Sequence, residues 1–143
     1  MGITTAMCNT FKQELLGGVH DLDSDSLKIA LIKASPTGTY GAATANFSDL
    51  GSDEASGTNY SAEGQALDSA SITLSGTTAF VDFADEVFSN LTISADGAII
   101  YNSSKSNKAI AVFSFGSTIT STAGDFTVVF PTADASNAVI RIS

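Results

Sequence analysis

The residues of this 143-residue chain with a type suited to chemistry are one histidine, one cysteine and three groups of carboxylates. His20 follows a helical stretch with no partner fixed by sequence, so a surface or capping role is expected rather than general base catalysis. Cys8 sits beside the apolar stripe of the same stretch, where a small buried thiol is expected rather than a nucleophile. The run Asp21-Leu22-Asp23-Ser24-Asp25 starts like a calcium loop. It then places Ser26 where the turn glycine belongs and Ile32 where the bidentate glutamate belongs. Asp49, Asp53 and Glu54, and Asp82, Asp85 and Glu86, are expected to be solvated acids, so no metal and no cofactor is assigned.

Two loop carboxylates can always meet to hydrolyse a glycoside, but the chain has no tryptophan to form the flat platform that sugar clefts use. No glycine-rich phosphate loop joins a strand to a helix. The expectation is a protein that is not an enzyme, with a carbohydrate-active site as the weakest of the readings.

With 15 acidic residues against 6 basic ones, the net charge of -9 repels phosphate backbones and anionic headgroups, so neither nucleic acid nor a membrane is an expected partner. Charged residues make up only 15% of the chain against 43% hydrophobic, and mean hydropathy is +0.21. Either a Ser/Thr-rich β surface stays wet with few charges, or a partner covers part of the surface. One cysteine excludes an internal disulfide framework. The opening MGITTAMCNTFKQELLGGVHD lacks a basic segment followed by an apolar core, so it does not read as a secretory signal. The sequons at Asn46, Asn59, Asn90 and Asn102 are then expected to reflect composition rather than glycosylation.

The elements that would position these residues form one domain over 1–143. A helix is expected over Thr5–Leu16, with Met7, Phe11 and Leu15 recurring every fourth residue, an N-cap from Thr4 or Thr5, and a stop at Gly17-Gly18. Leu27–Lys33 alternates as a strand. A long irregular segment, about 36–63, is anchored only by Tyr40, Phe47, Leu50 and Tyr60, and a segment of that length is expected to be functional or ordered by a partner. Short strands follow near Ala70–Leu74, Ala79–Phe83, Leu91–Ala95, Ala98–Tyr101, Ala109–Phe115, Phe126–Phe130 and Ala138–Ile142, with a bulge or bend at Gly97. The expected fold is mainly β, an antiparallel β-sandwich or jelly-roll-like domain over about 27–143 with one N-terminal amphipathic helix.

The segments ITTAMCNTFKQELLGGVHD, LKIALIKA, DEASGTNYSAEGQAL, GAIIYNSSKSNKAIAVFSFG and FTVVFPTADASNAVIRIS, in this order, resemble a group of small virion structural proteins of tailed bacteriophages. Those proteins share a helix with an FKQELL-like stretch, a K-I-A-L strand, an A-I-Y-N hairpin and a PTADA segment before the last strand. One departure is Glu63-Gly64, where similar proteins carry Gly-Gly. The resemblance implies a virion structural protein made in the host bacterial cytoplasm. The short acidic β domain points to a capsid decoration or cement protein on the outer surface. Its expected partners are the major capsid protein and copies of itself, as a trimer or another homo-oligomer. A tail or fibre-associated protein, with a role in adsorption to the host surface, is the alternative.

The hairpin GAIIYNSSKSNKAIAVFSFG, Gly97 to Gly116, is apolar on both faces and so must be covered twice, by the helix or by another subunit. The residues expected to meet a partner are Phe11, Lys12 and Leu15 of the helix, Tyr40, Phe47 and Tyr60 of the long segment, and Lys105 and Lys108 at the hairpin tip, facing an acidic neighbour.

Overall fold

A computed structural model describes residues 2–131, 133–134 and 136–143; Thr132 and Ala135 of the PTADA segment lie outside the described residues. Strands hold 49% of residues and helical segments 13%, so the fold is mainly β with antiparallel sheets.

Two short strands, β1 (Gly2–Ile3) and β2 (Ala6–Met7), precede the helix α1 (Asn9–Leu16). The expected helix began at Thr5, but Met7 lies in β2, paired with Ala111 of the long hairpin. Thr5 caps nothing; its hydroxyl accepts from the Ser114 N–H at 2.9 Å. Tertiary pairing holds this stretch extended: the Cys8 N–H donates to Ile110 O at 2.9 Å, and the helix can start only after it. At the other end the Val19 N–H reaches back to Glu14 O at 2.9 Å while Gly18 takes φ +74°, so the glycine pair ends the helix.

The main sheet has five strands in the order β2-β9-β8-β3-β5, with β3 at Leu27–Lys33, β5 at Gln65–Ala66, β8 at Glu86–Asn102 and β9 at Lys108–Val128. Leu91–Ala95 and Ala98–Tyr101, expected as one long strand bent at Gly97, lie in the continuous β8, while Ala109–Phe115 and Phe126–Phe130, expected as separate strands, are joined in β9, which ends at Val128. The bend expected at Gly97 is present as a register shift between Ala95 and Gly97. A side chain there would meet Phe113 O at 2.3 Å, which is why glycine occupies the bend. A second sheet has the order β10-β7-β6, with β6 at Ser71–Ser75, β7 at Thr78–Asp82 and β10 at Ile140–Ile142. β1 pairs in parallel with the short β4 (Thr39–Tyr40).

The core is one contiguous cluster centred on β3 and the near half of the hairpin, where Ile99, Ile100, Tyr101, Ile110 and Val112 are fully buried. Its double covering comes from this chain. Phe47 of the long segment stacks on Tyr101 at 4.5 Å between centroids. Asn102, the next residue and therefore on the opposite face, meets His20, whose ring lies 5.1 Å from Phe11 of α1.

Candidate assembly surface

Two networks of buried polar groups hold the covering segments in place. In the long segment Asp53 is the hub. Its carboxylate accepts from the Thr37 N–H at 3.1 Å, the Gly38 N–H at 2.8 Å and the Tyr40 hydroxyl at 2.7 Å, and it pairs with Lys33 Nζ at 2.9 Å. The Tyr40 hydrogen bond, then the backbone donors and Lys33, hold this carboxyl well below the usual carboxylate range. Burial first, then Asp53, pushes Tyr40 up to about 12. Asp49 accepts from the Ala45 and Asn46 N–H groups, and Glu54 accepts from the Tyr60 hydroxyl at 2.8 Å and the Glu63 N–H at 2.7 Å. The long segment, expected to be functional or ordered by a partner, is held by its own carboxylates.

The second network joins α1 to the hairpin tip. His20 Nε2 lies 3.0 Å from Glu14 Oε1, and its Nδ1 lies 3.0 Å from Asn102 Nδ2. Since the Asn102 amide nitrogen only donates, Nδ1 accepts and Nε2 carries the proton toward Glu14. Asn102 donates also to Asp25 at 2.7 Å and accepts from the Ser104 N–H at 3.0 Å, so the buried amide is satisfied on both sides. His20 is therefore a buried structural residue, not the surface group expected. Nor does Cys8 pair with it: its thiol points to Gly41 O at 3.9 Å, and burial pushes it up to about 11.

The residues expected to meet a partner fall into four sets. Phe11 and Tyr40 are buried in the core, so they support the surface and cannot touch a partner. Phe47 and Tyr60 are half-buried under stacking contacts with Tyr101 and Phe88. Lys105 and Lys108, with side chains 40% and 37% exposed, face acidic groups of this chain, Asp25 at 3.9 Å and Glu14 at 3.3 Å. Lys12 is exposed, and Leu15 is half-buried on the wall of a groove.

That groove, about 350 Å³, runs between the end of α1 with the His20–Leu22 turn and the face of the small sheet carrying Ile72, Val81, Ile140 and Ile142. Of its apolar lining Ile72 is 52% and Ile142 51% exposed; Leu74, on the Ile72 face of β6, is 72% exposed, and Leu16, next in the chain to the lining Leu15, is 92% exposed. Isolated exposed apolar residues are ordinary, but a cluster on adjoining elements marks an interaction surface. Sequence reasoning missed it because Leu16 was counted only as the helix end and β6 only as a short strand. The available signal was SITLSGTTAFV, Ser71 to Val81, a stretch without a charged residue in an acidic chain. No family model, curated protein or solved structure matches the chain.

Proposed function

We propose that this chain is a structural protein of a tailed phage particle, a decoration or cement protein that sits on the outer surface of the capsid and bridges major capsid subunits. The observation that carries the reading is the open apolar face of Ile72, Leu74 and Ile142 beside a groove walled by α1, whose last residue Leu16 is also exposed, on a chain of net charge -9. Apolar clusters rimmed by polar residues serve protein contacts, and an acidic outer protein has no need of a basic face toward DNA. The order of segments that resembles small phage virion proteins supports the same place. So does the use of the polar groups: the buried His20, Asn102 and Asp53 and the half-buried Asp25 all hold segments together, and their hydrogen bonds are made to the chain itself. In this reading the small sheet and the main sheet form the two layers of a sandwich, and α1 is the amphipathic element at its rim, core on the Phe11 side and contact surface at Leu16.

Two measurements test the role. Protein stoichiometry of purified particles should give a copy number comparable with the major capsid protein; a few copies per particle would place the chain elsewhere. Purified capsids lacking the protein should bind it, and Leu16→Asp should weaken that binding while leaving the fold intact, since Leu16 is almost wholly exposed.

A further inference from the structure

Three strands leave a long side open among the described residues, and they differ in a way that decides which of them accepts another strand. β8 is open from Glu86 to Ser94, beyond the end of β3, but Thr58 bridges it at Thr92 and register shifts at Phe88/Leu91 and Leu91/Ile93 break its edge. β9 is paired on its outer side only at Ala111 and Val112, by β2. Beyond that its edge is broken by register shifts opposite Ala95/Gly97 and Leu91/Ile93, with Gly116 at φ +80° and Ala123 at φ +48°. Bulges of this kind twist an edge away from strand addition. β6 has none. Its five pairs with β7 run without a shift, every residue from Ser71 to Ser75 is exposed, and no charge or proline occurs from Ser69 to Val81.

We propose that β6 is the seam of a two-fold homodimer, in which β6 of a second copy adds antiparallel to continue the small sheet. Three observations select a second copy as the occupant. The strand reads Ser-Ile-Thr-Leu-Ser, symmetric in chemistry about Thr73, so an antiparallel copy sets Ile72 against Leu74, Leu74 against Ile72 and serine against serine. Such self-complementarity is what an isologous contact requires. The backbone directions agree. Gly76, at φ +61°, and Thr77 form a two-residue turn closed by the pair Ser75 and Thr78. Antiparallel alternation from that closing pair turns the backbone groups of Ser71, Thr73 and Ser75 toward β7 and those of Ile72 and Leu74 toward the open edge. In the symmetric register these outward groups meet each other, and Thr73 meets its own copy across the axis.

Charge is the third observation. Two molecules of net charge -9 repel, and the uncharged stretch from Ser69 to Val81 lets them meet with no carboxylate opposite another along the seam. Ile72 and Leu74 would then each gain an apolar cross-strand neighbour, and the apolar face they share with Val81, Ala79, Ile140 and Ile142 would run through both copies and stay open as one larger surface. The seam stands independently of the capsid role, so a monomeric protein that decorates capsids, or a dimer that does not, would separate the two proposals.

The test uses the full chain in solution. Light scattering coupled to size exclusion should show the mass rising toward twice that of the monomer with concentration. Leu74→Lys should hold it at the monomer mass with an unchanged far-UV circular dichroism spectrum. Thr73→Cys should form a disulfide-linked dimer on mild oxidation, because a non-hydrogen-bonded pair has Cα atoms about 4.5 Å apart, within disulfide range. Ser71→Cys should not, since its copy lies at the far end of the seam; Cys8 is fully buried and does not compete. A wild-type protein monomeric at every concentration, a dimeric Leu74→Lys, or equal cross-linking of the two cysteine variants would overturn the proposal.

Discussion

The two halves of the β8/β9 hairpin are made by the same pair of strands yet live in different surroundings. The near half, Gly97–Asn102 and Ala109–Val112 on either side of an exposed tip, is buried on both faces, with the long segment on one side and α1 with the His20 turn on the other. The far half alternates: Phe88, Leu91, Ile93 and Phe126 are buried, while Val87 and Ile119 are each 42% exposed. One face there is covered by the segment carrying Thr58 and Tyr60, through the Thr58–Thr92 bridge and the Tyr60–Phe88 stack, and the other meets solvent. The difference teaches that this sheet is stabilised by what lies over it more than by its own length. The covering segments are themselves held by Asp53 and by the His20–Asn102 network.

The comparison is broken most severely in the near half. Ile100→Ala should cost about 2–5 kcal/mol, because a fully buried isoleucine leaves a cavity, whereas Ile119→Ala in the far half should stay within about 0.5 kcal/mol. Urea titration of the two variants measures the contrast, and similar losses would mean that both halves are packed alike. Removing a tie to a covering segment is the next step down. Asp53→Ala leaves the Gly38 N–H, the Tyr40 hydroxyl and Lys33 without their acceptor, for a loss of about 1–3 kcal/mol.

Asp53 also gives the pH dependence a sign. Its folded carboxyl titrates below the unfolded one, so its stabilisation is fully present above about pH 4 and fades as pH falls through the folded value. Wild type should therefore lose more stability than Asp53→Ala when urea midpoints are compared between pH 6 and pH 3. Equal losses would show that the hub contributes nothing to acid sensitivity. Asn102→Ala acts on the other covering segment, uncoupling His20 and Asp25 from the hairpin tip, with an expected cost of about 1–2 kcal/mol. Hydrogen exchange should then rise in 20–26 and 103–108 before it rises in the far half.

The smallest effect sharpens the comparison from the stabilising side. Glu63 holds φ +74° beside Gly64 at +81°, and a Cβ at Gly64 would lie 1.9 Å from Ile29 O. The second position therefore has to be glycine, while the first carries the strain of a non-glycine residue in the left-handed region. Glu63→Gly should raise stability by about 0.5 kcal/mol, since relief of that strain is partly offset by the entropy of a new glycine. A loss on thermal melting would show that the Glu63 side chain contributes more than its backbone costs.

Much of this architecture was legible as pattern. The bend at Gly97, the continuous apolar run of the near hairpin and the glycine stop after α1 are local: periodicity and backbone permissiveness signal them wherever they occur. The alternation expected of Leu27–Lys33 was misleading, since Ala30 and Ile32 on the second face of β3 are buried as fully as Ile29 and Leu31. The long strands were less legible. Gly116 and Gly124-Asp125 look like turn residues, yet β8 holds them in register through bulges, and only the partner strand distinguishes a bulge from a turn. The site was least legible. Tyr40, Phe47 and Tyr60 were right as anchors of the long segment, but what they anchor to is the chain's own Asp53, Tyr101 and Glu54.

By itself the sequence determined a β-rich, acidic, charge-poor chain without a disulfide framework, because those properties are sums over residues or repeats along the backbone. The tertiary structure alone decided that His20 is buried between Glu14 and Asn102, that the hairpin lysines face Asp25 and Glu14, and that among the described residues β6 has a regular, uncharged open edge. Those are relations among residues tens of positions apart. Hydrogen bonds and burial depend on which groups meet in space, and separation along the chain does not specify that.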